Sequence, residues 1–171
     1  PPEITSSHFL DSLLLLPHLP QTGRLLDIGS GAGVPGIPLK IARPTLTVDL
    51  AEATAKKASF LKEAVRRLEL SGIKVLPVFL GKEPLEPLEP WDVFVSRGVK
   101  LEVVLKAVAL YWGPAQRLLL MKGPEWREEM ERLAPVLMKK QVRLEETIPL
   151  MNPLSKRAWT LTVLKKTEPI G

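Results

Sequence analysis

The residues with the plainest chemical potential fall in one run, Asp27-Ile28-Gly29-Ser30-Gly31-Ala32-Gly33-Val34-Pro35-Gly36, and in an acid further on, Glu52. Glycines at this density let a chain turn tightly and let a ligand touch the backbone. The run leads into a helix, whose first turn carries unpaired N–H groups and a partial positive charge. Such a loop suits a carboxylate or a phosphate. Glu52, 21 residues beyond Gly31, ends a second predicted strand, where a carboxylate can accept both hydroxyls of a ribose. Two cofactors compete for this arrangement. Gly31-x-Gly33-x-x-Gly36 matches the dinucleotide fingerprint and points to a nicotinamide-dependent oxidoreductase. Gly29-x-Gly31-x-Gly33, with Asp27 two residues ahead, matches an S-adenosylmethionine site, in which the loop holds the methionine part and its ammonium wants a carboxylate. Asp27 would repel a pyrophosphate, and Pro35 removes an N–H that a dinucleotide helix would use. Both weigh toward the methyl donor. The bland reading is a glycine-rich turn that binds nothing.

The elements that must hold these residues alternate along the chain. Helices are predicted at His8–Leu16, with Ser6 or Ser7 as N-cap, at Gly36–Ala42, at Lys56–Leu70, at Leu101–Leu110 and at Glu125–Met138. The third carries an apolar stripe of Phe60, Leu61, Ala64, Val65 and Leu68, and Glu63 can pair with Arg67 on its outer face. Strands are predicted at Arg24–Ile28, Leu46–Leu50, Val75–Leu80, Val93–Ser96, Arg117–Met121, Val142–Ile148 and Trp159–Leu164. Alternation of this kind means an α/β fold: a mostly parallel seven-stranded sheet with helices on both faces. The last two strands have no helix between them and so form an antiparallel terminal hairpin. The Pro-spaced run from Glu83 to Pro90 reads as a stiff connector.

Composition narrows the chemistry. The 171 residues suit a single domain spanning residues 1–171, and 45% hydrophobic with 25% charged residues is ordinary globular usage. The absence of cysteine excludes disulfides, thiolate metal sites and a cysteine nucleophile, and no metal site is expected. No apolar run approaches the ~20 residues of a membrane span, and no signal peptide is visible; a cytoplasmic enzyme is expected. A net charge of +5 is compatible with a phosphate-rich partner and equally with a basic solvated surface. Trp91, Trp112, Trp126 and Trp159 are scattered and read as core or rim, not as a base-stacking platform.

Several stretches together resemble the RsmG (GidB) family of bacterial 16S ribosomal RNA guanine-N7 methyltransferases. His8-Phe9-Leu10-Asp11-Ser12 resembles the family's His-x-x-Asp-Ser helix start, and Asp27–Leu39 its glycine loop, including Pro35 and Pro38. Glu52, Lys56-Lys57 and Phe60-Leu61 follow its second-strand acid and basic helix start. Ser96-Arg97-Gly98 resembles its Ser-Arg-Ala, Lys122-Gly123 its Lys-Gly, and Arg157 its late arginine. The chain departs from the family in lacking a helical N-terminal extension, in having Glu52 for an aspartate, and in having Phe79-Leu80-Gly81-Lys82-Glu83 where Arg-x-Glu is usual near the adenine.

The resemblance implies a Rossmann-like class I S-adenosylmethionine-dependent methyltransferase acting on 16S ribosomal RNA or the small ribosomal subunit, at guanine N7, position 527 in the 530 loop. It implies cofactor contacts from Asp27, Gly29, Ser30, Gly31, Gly33, Glu52, Ala53 and Arg97, with Glu83 as a substitute near the adenine. RNA contacts are expected from Arg97, Lys122, Lys56, Lys57 and Arg157. Arg97 and Lys122 both follow strands, at the edge where open α/β sheets bind ligands, and are assigned to phosphate or to guanine O6 and N7. Guanine N7 carries an in-plane lone pair, so the reaction needs alignment and no general base, and no catalytic residue in that sense is expected. His8 and Asp11, one turn apart, either close over the cofactor or are structural. The departures leave three other functions open: a methyltransferase with another RNA target, an NAD-dependent oxidoreductase, and an RNA-binding relative without catalysis.

Overall fold

The computed structural model describes residues 2–81 and 90–167, residues 2–6 as backbone. The seven strands form one sheet. They are β1 (Gly23–Ile28), β2 (Leu46–Ala51), β3 (Ile73–Leu76), β4 (Val93–Arg97), β5 (Arg117–Lys122), β6 (Val142–Met151) and β7 (Ala158–Lys166). Their order is β3-β2-β1-β4-β5-β7-β6. The first five are parallel, and β7 enters antiparallel between β5 and β6. Helices α1 (Pro2–Leu13), α2 (Gly36–Ala42), α3 (Ala55–Arg67), α4 (Leu101–Ala107) and α5 (Trp126–Lys139) cover the two faces.

Strand alternation divides the core. Leu25, Val93, Val95, Leu119 and Leu161 point to one face, where they meet Leu15, Leu39 and Leu61. Leu26, Phe94, Leu118 and Leu120 point to the other, against Val104 and Leu105 of α4 and Leu133 and Leu137 of α5. Successive strand residues serve opposite faces, so the central strands read as continuous apolar runs. The strand order reverses at β1, which lies between β2 and β4. That reversal opens a crevice at the carboxyl ends of the strands, and the glycine loop hangs over it.

Several predicted boundaries move. Helix α1 starts at Pro2, so Ser6 and Ser7 lie inside it and do not cap it; it ends at Leu13, and a separate 3-10 turn follows at Leu16–His18. Proline at a first helical position gives up an N–H that has no partner there anyway. Strand β3 covers Ile73–Leu76, not Val75–Leu80, because Pro77 has no N–H to continue the ladder. Helix α4 stops at Ala107, and β6 runs on to Met151 with a bulge between Leu144 and Glu146. On α3 the buried residues are Ala58 and Leu61; Phe60 and Leu68, assigned to the apolar stripe, are exposed. The expected Glu63–Arg67 pair forms at 2.6 Å, and Arg66 joins it at 2.8 Å. Trp91 and Trp112 are buried core residues, and Trp126 and Trp159 lie half-buried. Of the connector, residues 82–89 lie outside the described residues, and with them Glu83.

Candidate functional site: the carboxyl edge of the sheet

Asp27 is the penultimate residue of β1 and is fully buried. Its Oδ2 accepts the Gly36 N–H at 3.0 Å, while Oδ1 has no partner. Burial pushes its pKa from 3.8 up to about 7, against the Gly36 amide, the Ser30 hydroxyl and the nearby charge of Arg97. Gly36 is required here by space: a Cβ would lie 2.3 Å from Leu50 Cδ2 and 2.8 Å from Asp27 Oδ2. The contact settles the dinucleotide question. The first amide of α2 already holds a carboxylate, and the next, Ile37 N–H, donates to Gly33 O. No amide of that helix start is left to receive a pyrophosphate, so the overlapping fingerprint is formal only.

The loop is pinned to β2. Gly29 and Ser30 N–H donate to Ala51 O at 2.9 and 3.1 Å, and Gly31 N–H donates to Glu52 Oε2 at 3.0 Å. Glu52 is 7% exposed, and its Oε1 accepts the Thr54 N–H at 2.8 Å. Burial disfavours its charge, but the Thr54 and Gly31 amides and the Lys57 ammonium outweigh this and hold the pKa below the ordinary value. A carboxylate has about four acceptor positions, so Glu52 keeps lone pairs for hydroxyl groups while remaining ionised. Gly31 sits at φ +55°, and a Cβ there would meet nothing closer than Gly29 O at 3.8 Å; its open side faces no protein atom. The residues fit an amino-acid-bearing nucleoside. Asp27 offers an unpartnered buried carboxylate oxygen for an ammonium, Glu52 offers acceptors for a diol, and Gly31 gives open space between them. Ala53 follows Glu52 and is exposed.

Arg97, at the tip of β4, is turned toward α1. Its Nη1 donates to His8 O at 2.9 Å and its Nη2 to His8 Nδ1 at 2.8 Å, which makes that ring nitrogen the acceptor. Asp11 Oδ2 lies 3.8 Å away, and the guanidinium is 5.5 Å from the Trp159 ring. Burial lowers its pKa, with Asp11 and Asp27 opposing. Sequence reading missed Asn152, which is fully buried and closes this cluster. Its Nδ2 donates to Asp11 Oδ1 at 2.7 Å and Ser7 O at 3.1 Å, and its Oδ1 accepts the amides of Leu154 and Ser155. The Asn152-Pro153 dipeptide is a turn signal that marks the position without revealing its partner. His8 and Asp11 thus bind α1 to the β4 tip and the β6–β7 turn.

Lys122, at the tip of β5, donates to Val99 O at 2.8 Å and pairs with Glu129 at 2.7 Å. Glu129 also accepts the Leu101 N–H at 2.6 Å, joining α5 to the start of α4. The remaining expected RNA contacts are dispersed. Lys56 and Lys57 are exposed on the first turn of α3, and Arg157, in the β6–β7 turn, stacks 4.7 Å from Trp159. The site therefore has two parts: the glycine loop, Asp27 and Glu52 at the tips of β1 and β2, and Arg97 and Lys122 at the tips of β4 and β5.

Residues 1–157 match the family model described as rRNA small subunit methyltransferase G, GidB. The chain is 39% identical over 165 residues to the ribosomal RNA small subunit methyltransferase G of Desulfotalea psychrophila, covering 95% of this chain and 76% of that one. It is 39% identical to the protein of the same name from Pelotomaculum thermopropionicum, covering 96% and 71%. Among solved structures, a SAM-dependent methyltransferase from Aquifex aeolicus superimposes with a TM-score of 0.68 at 19% identity, covering 92% and 91%. A ribosomal protein L11 methylase from Lactobacillus delbrueckii does so with 0.67 at 10% identity, covering 93% and 77%. These structures share the fold. By the family model and the relatives, the chain belongs to the GidB family of rRNA small subunit methyltransferases.

Proposed function

We propose that this protein transfers a methyl group from S-adenosylmethionine to N7 of a guanine in 16S ribosomal RNA, with the RNA or the small subunit as its partner in the cytoplasm. One observation carries the reading of the cofactor. Asp27 fills the helix start that a pyrophosphate would need, and its other oxygen is buried without a hydrogen-bond partner beneath the glycine loop. S-adenosylmethionine bound there supplies an electrophilic methyl on a positively charged sulfur.

The chain's own residues then have modest tasks. Asp27 receives an ammonium, Glu52 receives the ribose hydroxyls, and the backbone around Gly29, Ser30, Gly31 and Gly33 forms the floor. Arg97 sits between Asp27 and α1 and sets the boundary of the donor side. Lys122 keeps one N–H beyond the two it has committed, enough to meet guanine O6. With that donor held, N7 would take the methyl as the donor's C–S bond breaks, and the positive charge would pass from sulfur to the purine. No proton leaves, so no base is needed, and alignment accounts for the catalysis. Lys56, Lys57 and Arg157 serve the RNA backbone, where phosphate contacts fix position without reading sequence. Among the described residues no helix is long and apolar enough to cross a membrane, and no group of three His, Asp or Glu is placed to hold a metal ion.

Labelled methyl transfer to undermodified small-subunit RNA, followed by nucleoside analysis, tests the proposal. The expected product is 7-methylguanosine. Label absent, or found on another nucleoside, overturns it.

A further inference from the structure

A cleft of about 620 Å³ opens beside the glycine loop. Its walls come from Val99 and Lys100 after β4, Lys122 at the β5 tip, and Trp126, Glu128 and Arg132 of α5. Val99 is the partition between cleft and loop: a Cβ on Gly29 would lie 2.7 Å from its Cγ2. A volume of this order holds one nucleotide-sized ligand.

The polar groups are unevenly committed. Lys122 and Glu129 satisfy one another. Glu128, Lys100 and Arg132 are exposed at the cleft rim; among the described residues Glu128 makes no ion pair or hydrogen bond, and the Arg132 charge acts on Glu129. Trp126 is half-buried, with the Arg127 guanidinium 4.8 Å from its ring. A cleft with an aromatic wall, an unpaired carboxylate and two cations at its rim matches one extruded nucleotide: a π-surface for the base, an acceptor pair for its edge, and positive charge for its phosphates.

Guanine narrows the match. Its Watson–Crick edge presents N1–H and the 2-amino group side by side, two donors that meet the two oxygens of one carboxylate. Adenine offers an acceptor at N1 and is repelled. N7 lies on the opposite edge of the purine, so a guanine held through N1 and N2 turns N7 away from α5. We infer that this cleft takes the target guanine itself, with Glu128 accepting N1–H and the 2-amino group, Trp126 stacking on the ring, and Lys100 and Arg132 meeting the flanking phosphates. The inference rests on the guanine-N7 reading above.

Inosine keeps N7 and N1–H but lacks the 2-amino group; 7-deazaguanosine keeps the Watson–Crick edge but lacks N7. RNAs carrying guanosine, inosine or 7-deazaguanosine at the mapped position should be compared with wild type and E128Q, with S-adenosylmethionine affinity measured alongside. Wild type is expected to prefer guanosine over inosine by about 10-fold or more in kcat/KM, since inosine forfeits one hydrogen bond to a charged acceptor. E128Q should bring the two substrates within about 2-fold while cofactor affinity stays unchanged, which also shows that the variant folds. Equal use of guanosine and inosine by wild type, or an unchanged preference in E128Q, overturns the role of Glu128. No transfer to the guanosine RNA, or transfer to the 7-deaza RNA, overturns instead the function proposed above.

Discussion

The tips of β1 and β2 and the tips of β4 and β5 are built from different materials. On the first side the work falls to backbone and short carboxylates: Gly31 N–H meets Glu52, Gly36 N–H meets Asp27, and the loop amides meet Ala51 O. On the second side long cations reach across the fold. Arg97 binds His8 of α1, and Lys122 binds Val99 O and Glu129 of α5. A backbone site has little freedom to be wrong once its turns are made, whereas a side-chain site depends on every partner element arriving. Rigid binding of the donor and adjustable seating of a large acceptor are the functions each material suits.

That contrast breaks most severely at Gly31. Gly31→Leu should cut affinity for S-adenosylmethionine by at least about 100-fold, because the side chain enters the open space above the loop. The fold should survive with a loss of roughly 1–2 kcal/mol for the left-handed φ. Calorimetric titration and denaturant melts separate the two effects, and retained affinity would remove the loop from the binding site.

A smaller effect sharpens the role of Asp27. Unfolded, it titrates near 3.8; folded and empty, near 7. Between those values the folded chain holds a proton that the unfolded chain has released, so stability without ligand should fall as pH rises through that window. A bound cation favours the ionised form, so affinity should rise by up to about tenfold per pH unit below 7 and level off above it. Asp27→Asn should flatten the profile. A pH-independent affinity in the wild-type protein would show that no cation meets this carboxylate.

On the other side, Lys122→Met should leave cofactor affinity within about 2-fold of wild type, because its partners are Val99 and Glu129 and not the loop. Stability should drop by about 1–3 kcal/mol, as Val99 O loses its donor and Glu129 its cation. Methyl transfer should fall. Equal loss of cofactor affinity would erase the distinction between the two sides. Smallest of all, Glu63→Ala removes an ion pair on the outer face of α3 that is open to solvent; no resolvable change in Tm or in transfer is expected.

The amino-acid order determined the geometry of the glycine loop and its two acids almost unaided. Asp27, the spaced glycines and Glu52 act through backbone conformation and strand ends, and those follow from local sequence. The seven strands and the terminal hairpin were legible for the same reason, since apolar runs and turn residues are local signals. The end of β3 at Pro77 was also a local signal, whereas the exposure of Phe60 and Leu68 depended on how α3 packs on the sheet. Only the folded chain decided what Arg97, Lys122, His8 and Asp11 hold, and that Asn152 reaches Asp11 across 141 residues of sequence. Long side chains have many rotamers and no sequence periodicity, so their partners are fixed by which elements the sheet brings together.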